Sequence, residues 1–535
     1  MKSVSPKQLK DMMHDREKLA LLDVREQGVF AKEHLLFACC ISLSHMELKL
    51  RDLVPRHITR IVLIDQGPSD KLRLAEKAVE RLVSFNYSNV AVLEGGVEGW
   101  RNAGFELFSG VNVLSKAFGE FVQLTCNTPM LTAEQLKARI DMGQKMVILD
   151  ARPKEEYHRM NIPGGINSPG AELVYRVHDL APDPETTVVV NCAGRTRSII
   201  GAQSLINAGI PNPVAALKDG TMGWQLAGFE LEYGQARHAP IPSVRGLVKA
   251  QACAERVAKH FGVRKVNRHN LDAWVKGTNT QTVYILDVRT PEEFEAGHLE
   301  GARNAPGGQL VQATDEYVAV RNSRLVLVDD NEVRATMTAS WLVQMGWTDV
   351  HVLAGGIGAG PLVRGPHRSE ALDLEKVDML TPLELKALLD SRKELAVVDL
   401  ATSIQYQDGH IPRAWWGVRS RLESELSHLP PPDLFVLTSP DGKLAQLAVK
   451  DVKACQPGIP VRILEGGTDR WVTTGLPTCE GMERSISKAD DIWYKPYEHT
   501  NATYQAMRDY LTWELGLLEQ IERDGDAKFR ISKVP

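Results

Sequence analysis

The strongest constraint on the fold of this chain is that it repeats itself at domain-sized intervals. An apolar strand ending in Asp, often followed by Arg, appears as Leu22-Asp23-Val24-Arg25 and again as Leu149-Asp150-Ala151-Arg152. It returns as Leu286-Asp287-Val288-Arg289 and, in weaker form, as Val398-Asp399-Leu400. A second element closes each unit: an apolar strand, a Gly-rich turn and usually a Trp. Its copies are Val92-Leu93-Glu94-Gly95-Gly96 with Trp100, Leu217-Lys218-Asp219-Gly220 with Trp224, Val352-Leu353-Ala354-Gly355-Gly356 without a Trp, and Ile463-Leu464-Glu465-Gly466-Gly467 with Trp471. Successive copies lie a whole domain apart, far beyond a solenoid period. Between the two elements short apolar strands alternate with helical segments. That alternation predicts α/β units, each a parallel sheet covered on both faces. Ligands of such sheets bind beyond the C-terminal ends of the strands.

One unit places a nucleophile there. Thr187-Val188-Val189-Val190-Asn191 reads as a short buried strand, and the residues from Ser198 to Ile206 read as a helix. Between them runs Cys192-Ala193-Gly194-Arg195-Thr196-Arg197. The thiol therefore sits on a tight loop leading into a helix N-terminus, where backbone N–H groups and the helix dipole favour an anion. Arg195 and Arg197 add positive charge. A cysteine so placed is expected to ionise easily, and the thiolate is the reactive form. The competing reading is a buried, inert cysteine, which would leave the two arginines without a purpose.

Composition narrows the remaining choices. A chain of 535 residues exceeds what one hydrophobic core holds. Its 43% hydrophobic and 24% charged residues are ordinary for a soluble globular protein, and a net charge of −5 gives no basic footprint for nucleic acid. No stretch reads as a signal core or a membrane span, so a cytoplasmic location is expected. Seven unevenly spaced cysteines make neither a disulfide framework nor a zinc site. Residues 110–128 and 237–266 read as helical linkers. Residues 481–535 belong to no unit; Tyr504 to Ile521 reads as an amphipathic helix with Met507, Leu511, Leu515 and Leu518 on one side, expected to pack back on the domains.

As a set, these residues resemble the rhodanese superfamily. The resemblance is carried by the Leu-Asp-x-Arg strand end, by Gly297-His298-Leu299-Glu300-Gly301-Ala302 and Gly409-His410-Ile411-Pro412-Arg413-Ala414, by the cysteine loop and by the Gly-Gly…Trp closure. It extends to about residue 480, and the whole chain is similar to the bacterial four-domain rhodanese-related sulfurtransferases. It implies an α/β fold of four tandem rhodanese-like domains, each a five-stranded parallel sheet flanked by helices, plus a C-terminal helical extension. The domains are expected at 1–109, 129–236, 267–368 and 377–480. Only the second keeps the cysteine. Asp65 takes its place in the first, Asp329 in the third, and Thr438 or Ser439 in the fourth. Carboxylates cannot form a persulfide and an unassisted hydroxyl is a poor nucleophile, so these three domains are expected to be inactive.

The resemblance further implies a persulfide carried on Cys192. The thiolate would take the outer sulfur of a donor such as thiosulfate, sulfite would leave, and the sulfur would pass to cyanide, a thiol or a protein cysteine. Ala193, Gly194, Arg195, Thr196 and Arg197 are the expected substrate-binding residues, with loop N–H groups holding the terminal sulfur and the arginines attracting the donor. Asp150, Arg152 and Glu156 read as support for the loop, because the same triplet recurs at Asp287, Arg289 and Glu293 beside a loop without a cysteine. Trp224 is expected to pack under the loop. No metal or organic cofactor is needed. The expected partners are a small anionic sulfur donor and a thiol or protein-cysteine acceptor, with neither nucleic acid nor membrane. Two rivals stand beside this reading. One is a phosphatase of the cell-cycle dual-specificity type, whose wider loop holds five residues between Cys and Arg; here only four separate Cys192 from Arg197, which suits a smaller sulfur-centred anion. The other is a sulfur carrier or scaffold with little turnover of its own.

Overall fold

The structure is a computed structural model that describes residues 2–277, 281–367, 369, 371–374, 376–391, 394–498 and 503–533. Each repeat opens with a short helix whose N-cap is written in the sequence. Ser5 caps Pro6–His14, Thr132 caps Ala133–Asp141, Asn267 caps Arg268–Lys276 and Thr381 caps Pro382–Asp390; in each, the side chain accepts the backbone N–H three residues on. In three of them a Gln or Glu at that position reaches back to complete a capping box.

The Asp-ending segments become central strands: Leu19–Asp23, Met146–Asp150, Val283–Asp287 and Leu395–Asp399. Their near-continuous apolar character follows from burial on both faces of a parallel sheet. The four sheets share one strand order. In the second repeat it runs Met130–Leu131, Val214–Leu217, Thr187–Asn191, Met146–Asp150, Ile166–Asn167, all parallel. The third sheet begins with Arg264–Val266, which pairs with Val350–Leu353, so the last residues of the stretch read as a linker are an edge strand.

Registers fix which residues are equivalent. Asp23 pairs with Ile64, Asp150 with Asn191, Asp287 with Val328 and Asp399 with Thr438. The next residue in each case is Asp65, Cys192, Asp329 and Ser439. Ser439, not Thr438, therefore stands at the cysteine position of the fourth repeat.

The chain forms two compact units. One comprises Met1–Asp15, Leu19–Val111 and Ser369–Tyr494, and so holds the first and fourth repeats. The other comprises Arg16–Lys18, Asn112–Arg368 and Lys495–Pro535 and holds the second and third repeats. In this second unit the helix Val244–Phe261 buries Ala250, Cys253, Ala254 and Val257 in one core with Leu149, Val188 and Val190 of the second sheet and Val333 and Met337 of the third repeat. The C-terminal helix Thr503–Asp524 lies in the same unit and packs on the helix Val113–Cys126. Its buried stripe is Met507, Leu511, Glu514, Leu517 and Ile521. Leu515, expected on that stripe, is 55% exposed. The polar Glu514 takes the inward position instead, which a count of apolar residues passes over. Among the described residues no helix is long and apolar enough to cross a membrane.

Candidate active site

Cys192 directly follows the strand Thr187–Asn191, and the helix Thr196–Asn207 begins four residues later. The thiol is 2% exposed. Ser198, in the first turn of that helix, donates its hydroxyl to Cys192 Sγ at 2.9 Å. The loop is fastened from below by the closing helix Gly220–Leu226: Thr221 donates both its N–H and its hydroxyl to the Cys192 carbonyl at 2.8 Å, and the Met222 N–H donates to the Ala193 carbonyl at 3.0 Å. Gly220, at φ +57°, lies so close under the loop that a Cβ there would sit 2.6 Å from the Gly194 carbonyl oxygen. This is what the Gly-rich turn of the repeat is for.

Both loop arginines are committed to carboxylates. Arg195 donates from Nε and Nη2 to the two carboxylate oxygens of Glu120, at 2.7 and 2.8 Å, and from Nη1 to Asp219 at 2.9 Å. Arg197 pairs with Glu156 through Nη1 and Nη2 at 3.0 and 2.8 Å, and Nη1 also reaches Gln309 at 3.2 Å. Burial pushes the Glu156 carboxyl up, but the Arg197 guanidinium outweighs it and holds Glu156 down at about 2. These pairings correct the expectation of an easily ionised thiol. Burial pushes the Cys192 thiol above its usual range; Arg197 and the Ser198 hydrogen bonds only partly oppose it, and Glu514 adds to the rise. An arginine whose charge is matched by a carboxylate lowers a neighbouring thiol's pKa far less than a free one.

The expected supporting triplet divides. Arg152 donates from Nε and Nη2 to Asp150 at 2.9 and 2.6 Å, and from Nη2 to the Met160 carbonyl at 2.6 Å. Arg25 with Asp23 and Arg289 with Asp287 repeat this clamp, reaching the Glu33 and Gly297 carbonyls. Glu156 is not part of it; it serves Arg197, as Glu293 serves Arg334 in the third repeat. Trp224 belongs to the helix Gly220–Leu226, which holds the loop. It lies in the core with Leu136, Ile148 and Val189, and its Nε1 donates to the Glu230 carbonyl at 2.8 Å.

Several residues at the loop come from outside the second repeat, where no repeat motif marks them. Helix Val113–Cys126 supplies Glu120 and Gly119; a Cβ on Gly119 would meet Thr196 Cγ2 at 2.9 Å, so this helix rides directly on the loop. The C-terminal helix supplies Tyr510 and Glu514. A Cβ on Gly194 would lie 3.1 Å from Glu514 Oε2 and 3.3 Å from the Tyr510 ring. Thr196 donates its hydroxyl to Glu514 Oε1 at 3.3 Å, and Tyr510 does so at 3.0 Å. Lys116 is buried beside them, with Nζ 5.1 Å from the Tyr510 ring centre. The signal that could have found Glu514 is an acidic residue on the inward stripe of an amphipathic helix.

The rhodanese-like domain family matches residues 5–103, 132–227 and 268–359. The chain belongs to the rhodanese family. The crystal structure of a thiosulfate sulfurtransferase from Pseudomonas aeruginosa is 48% identical, covers 100% of both chains and superposes with a TM-score of 0.94. The uncharacterised YqhL of Bacillus subtilis is 42% identical over 73 residues, 14% of this chain and 56% of that protein. The thiosulfate sulfurtransferase GlpE of Shewanella oneidensis is 29% identical over 101 residues, 19% of this chain and 90% of that protein. The matches cover about half the length of the first curated relatives. The fourth repeat lies outside the three matched segments, yet its sheet has the strand order of the other rhodanese repeats.

The equivalent loops of the other rhodanese repeats hold an oxygen where the second holds sulfur. In the third, Asp329 Oδ1 accepts the N–H groups of Asn331 and Glu332 at 3.2 and 2.6 Å, and Oδ2 accepts that of Ala335 at 3.1 Å. In the first, Asp65 accepts the Gly67 N–H at 2.9 Å. In the fourth, Ser439 Oγ accepts the Ala445 N–H at 3.2 Å.

Proposed function

We propose that this rhodanese is a sulfurtransferase that moves sulfane sulfur from thiosulfate or a related donor to a thiophilic acceptor through a persulfide on Cys192. The observation that carries this reading is the cradle common to the repeats. A loop whose N–H groups close around a side-chain carboxylate in the first and third repeats is shaped to hold an anion. In the second repeat alone, a thiol stands at the position of that carboxylate. A persulfide on Cys192 would put its terminal sulfur, an anion, among those N–H groups. The 48% identity to a thiosulfate sulfurtransferase over the full chain supports the same chemistry.

The steps follow from the residues. Cys192, as thiolate, attacks the outer sulfur of the donor. The bond between that sulfur and the sulfonate sulfur breaks, and sulfite leaves with the electron pair. Ser198 donates to Sγ and stabilises its charged form, while loop N–H groups take up the charge on the new terminal sulfur. Arg195 and Arg197 keep the loop in shape through Glu120, Asp219 and Glu156. The first, third and fourth repeats carry no sulfur in this reading. Thiosulfate-to-cyanide transfer in the full chain and in Cys192→Ser tests it: the wild type turns over and the variant does not. Equal turnover in both would overturn it.

A further inference from the structure

Glu514 presents an unusual carboxylate to the cysteine loop. It is 2% exposed. One oxygen, Oε1, is held by two hydroxyl donors, Thr196 and Tyr510. The other, Oε2, is buried and accepts no hydrogen bond, and it is the one that faces Gly194 on the loop. A buried carboxylate oxygen without a donor is costly unless it carries a proton or receives one. The charged groups around it are Lys116 and Glu120 on the helix Val113–Cys126, Arg195 and Cys192 on the loop, and Tyr510 one turn back on its own helix. Burial raises the Glu514 carboxyl to about 7, with Lys116 opposing the rise and Glu120 adding to it. The group is thus placed to exchange a proton near neutrality, where a general base works best.

We propose that Glu514 is the proton carrier of the Cys192 site and that it fits the site to a protonated thiol as the sulfur acceptor. The proposal rests on the sulfurtransferase reading above. The acceptor thiol gives its proton to Glu514 Oε2, and the resulting thiolate attacks the terminal sulfur of the Cys192 persulfide. A sulfur–sulfur bond forms on the acceptor and the bond to Cys192 Sγ breaks, its electron pair staying on Sγ. Glu514 then returns the proton to Sγ, so the acceptor leaves as a persulfide anion and Cys192 is again a thiol. The rise that burial imposes on the Cys192 thiol makes it the better resting place for that proton. Sulfite, which above neutral pH takes the sulfur as its dianion and becomes thiosulfate, makes no such demand.

The test uses the full chain, loaded with thiosulfate and freed of excess donor. Discharge of the persulfide to sulfite and to a small thiol is followed in the wild type, Glu514→Gln and Glu514→Asp above neutral pH. Glu514→Gln keeps the acceptor for Thr196 and Tyr510 but cannot take a proton. Discharge to the thiol is expected to fall about ten- to a hundredfold further than discharge to sulfite, and Glu514→Asp is expected to recover part of that difference. A merely structural role would lower both acceptors alike in both variants, and that result, or no change at all, overturns the proposal. A wild type that takes no sulfur on Cys192 would instead remove the sulfurtransferase reading on which the proposal stands.

Discussion

Glu120 and Arg195 face each other across two parallel hydrogen bonds of 2.7 and 2.8 Å, one residue from a helix outside the repeats and the other from the cysteine loop. Both side chains are under a tenth exposed. The bidentate geometry makes the Val113–Cys126 helix a brace for the loop.

Arg195→Met should therefore act mainly through structure. It leaves Glu120 buried without its partner, a loss typically worth about 3–5 kcal/mol. Thermal unfolding should shift down clearly, and Glu120→Leu in the same chain should recover part of the loss. An unchanged melting temperature with a raised KM for thiosulfate would make Arg195 a donor-binding residue instead.

The Arg197–Glu156 pair predicts an acid-side stability change. The folded carboxyl lies at about 2, below its unfolded value of about 4.3. Its contribution is therefore complete above the unfolded value and is lost as pH falls from there toward 2. The stability gap between wild type and Glu156→Gln should be on the order of 2–3 kcal/mol at neutral pH and should narrow steadily over that window. A gap that does not change with pH would show that the pair contributes no such linkage.

Ser198 should set the reactivity of the thiol. Its hydroxyl donates to Cys192 Sγ, and hydrogen bonds to a charged group contribute about 1.5–3 kcal/mol. Ser198→Ala should raise the Cys192 pKa further and slow alkylation by iodoacetamide at neutral pH by roughly tenfold or more. Alkylation at the wild-type rate would mean that the thiolate is stabilised by the loop N–H groups alone.

Much of this was legible in the sequence, and what was not has a physical reason. Asp150, Arg152 and the Gly220 turn are local features whose partners lie within one repeat, so the repeated pattern shows them. Cys192 stood out because strand, loop and helix are contiguous. Glu120 and Gln309, which bond Arg195 and Arg197, were not legible, because Glu120 comes from a linker helix and Gln309 from the next repeat; sequence distance hides such pairings. Glu514 was hidden by its own polarity, since the helical stripe was traced through Leu515. Ser439 could be assigned only from the register of Asp399 with Thr438.

Asp329→Ala and Asp65→Ala should separate fold from chemistry in the other repeats. Each removes an acceptor from loop N–H groups, which should lower stability by about 1–3 kcal/mol. Sulfur transfer should stay near the wild-type rate. Loss of turnover in Asp329→Ala with the fold intact would make the third repeat a participant in the reaction.

The most direct test of the account is where thiosulfate leaves its sulfur. Peptide mass spectrometry of the thiosulfate-treated full chain should find one added sulfur atom, on the peptide that contains Cys192, and cyanide should remove it. Sulfur on Cys39, Cys40, Cys126, Cys253, Cys455 or Cys479 in place of Cys192, or no added sulfur at all, would contradict the account.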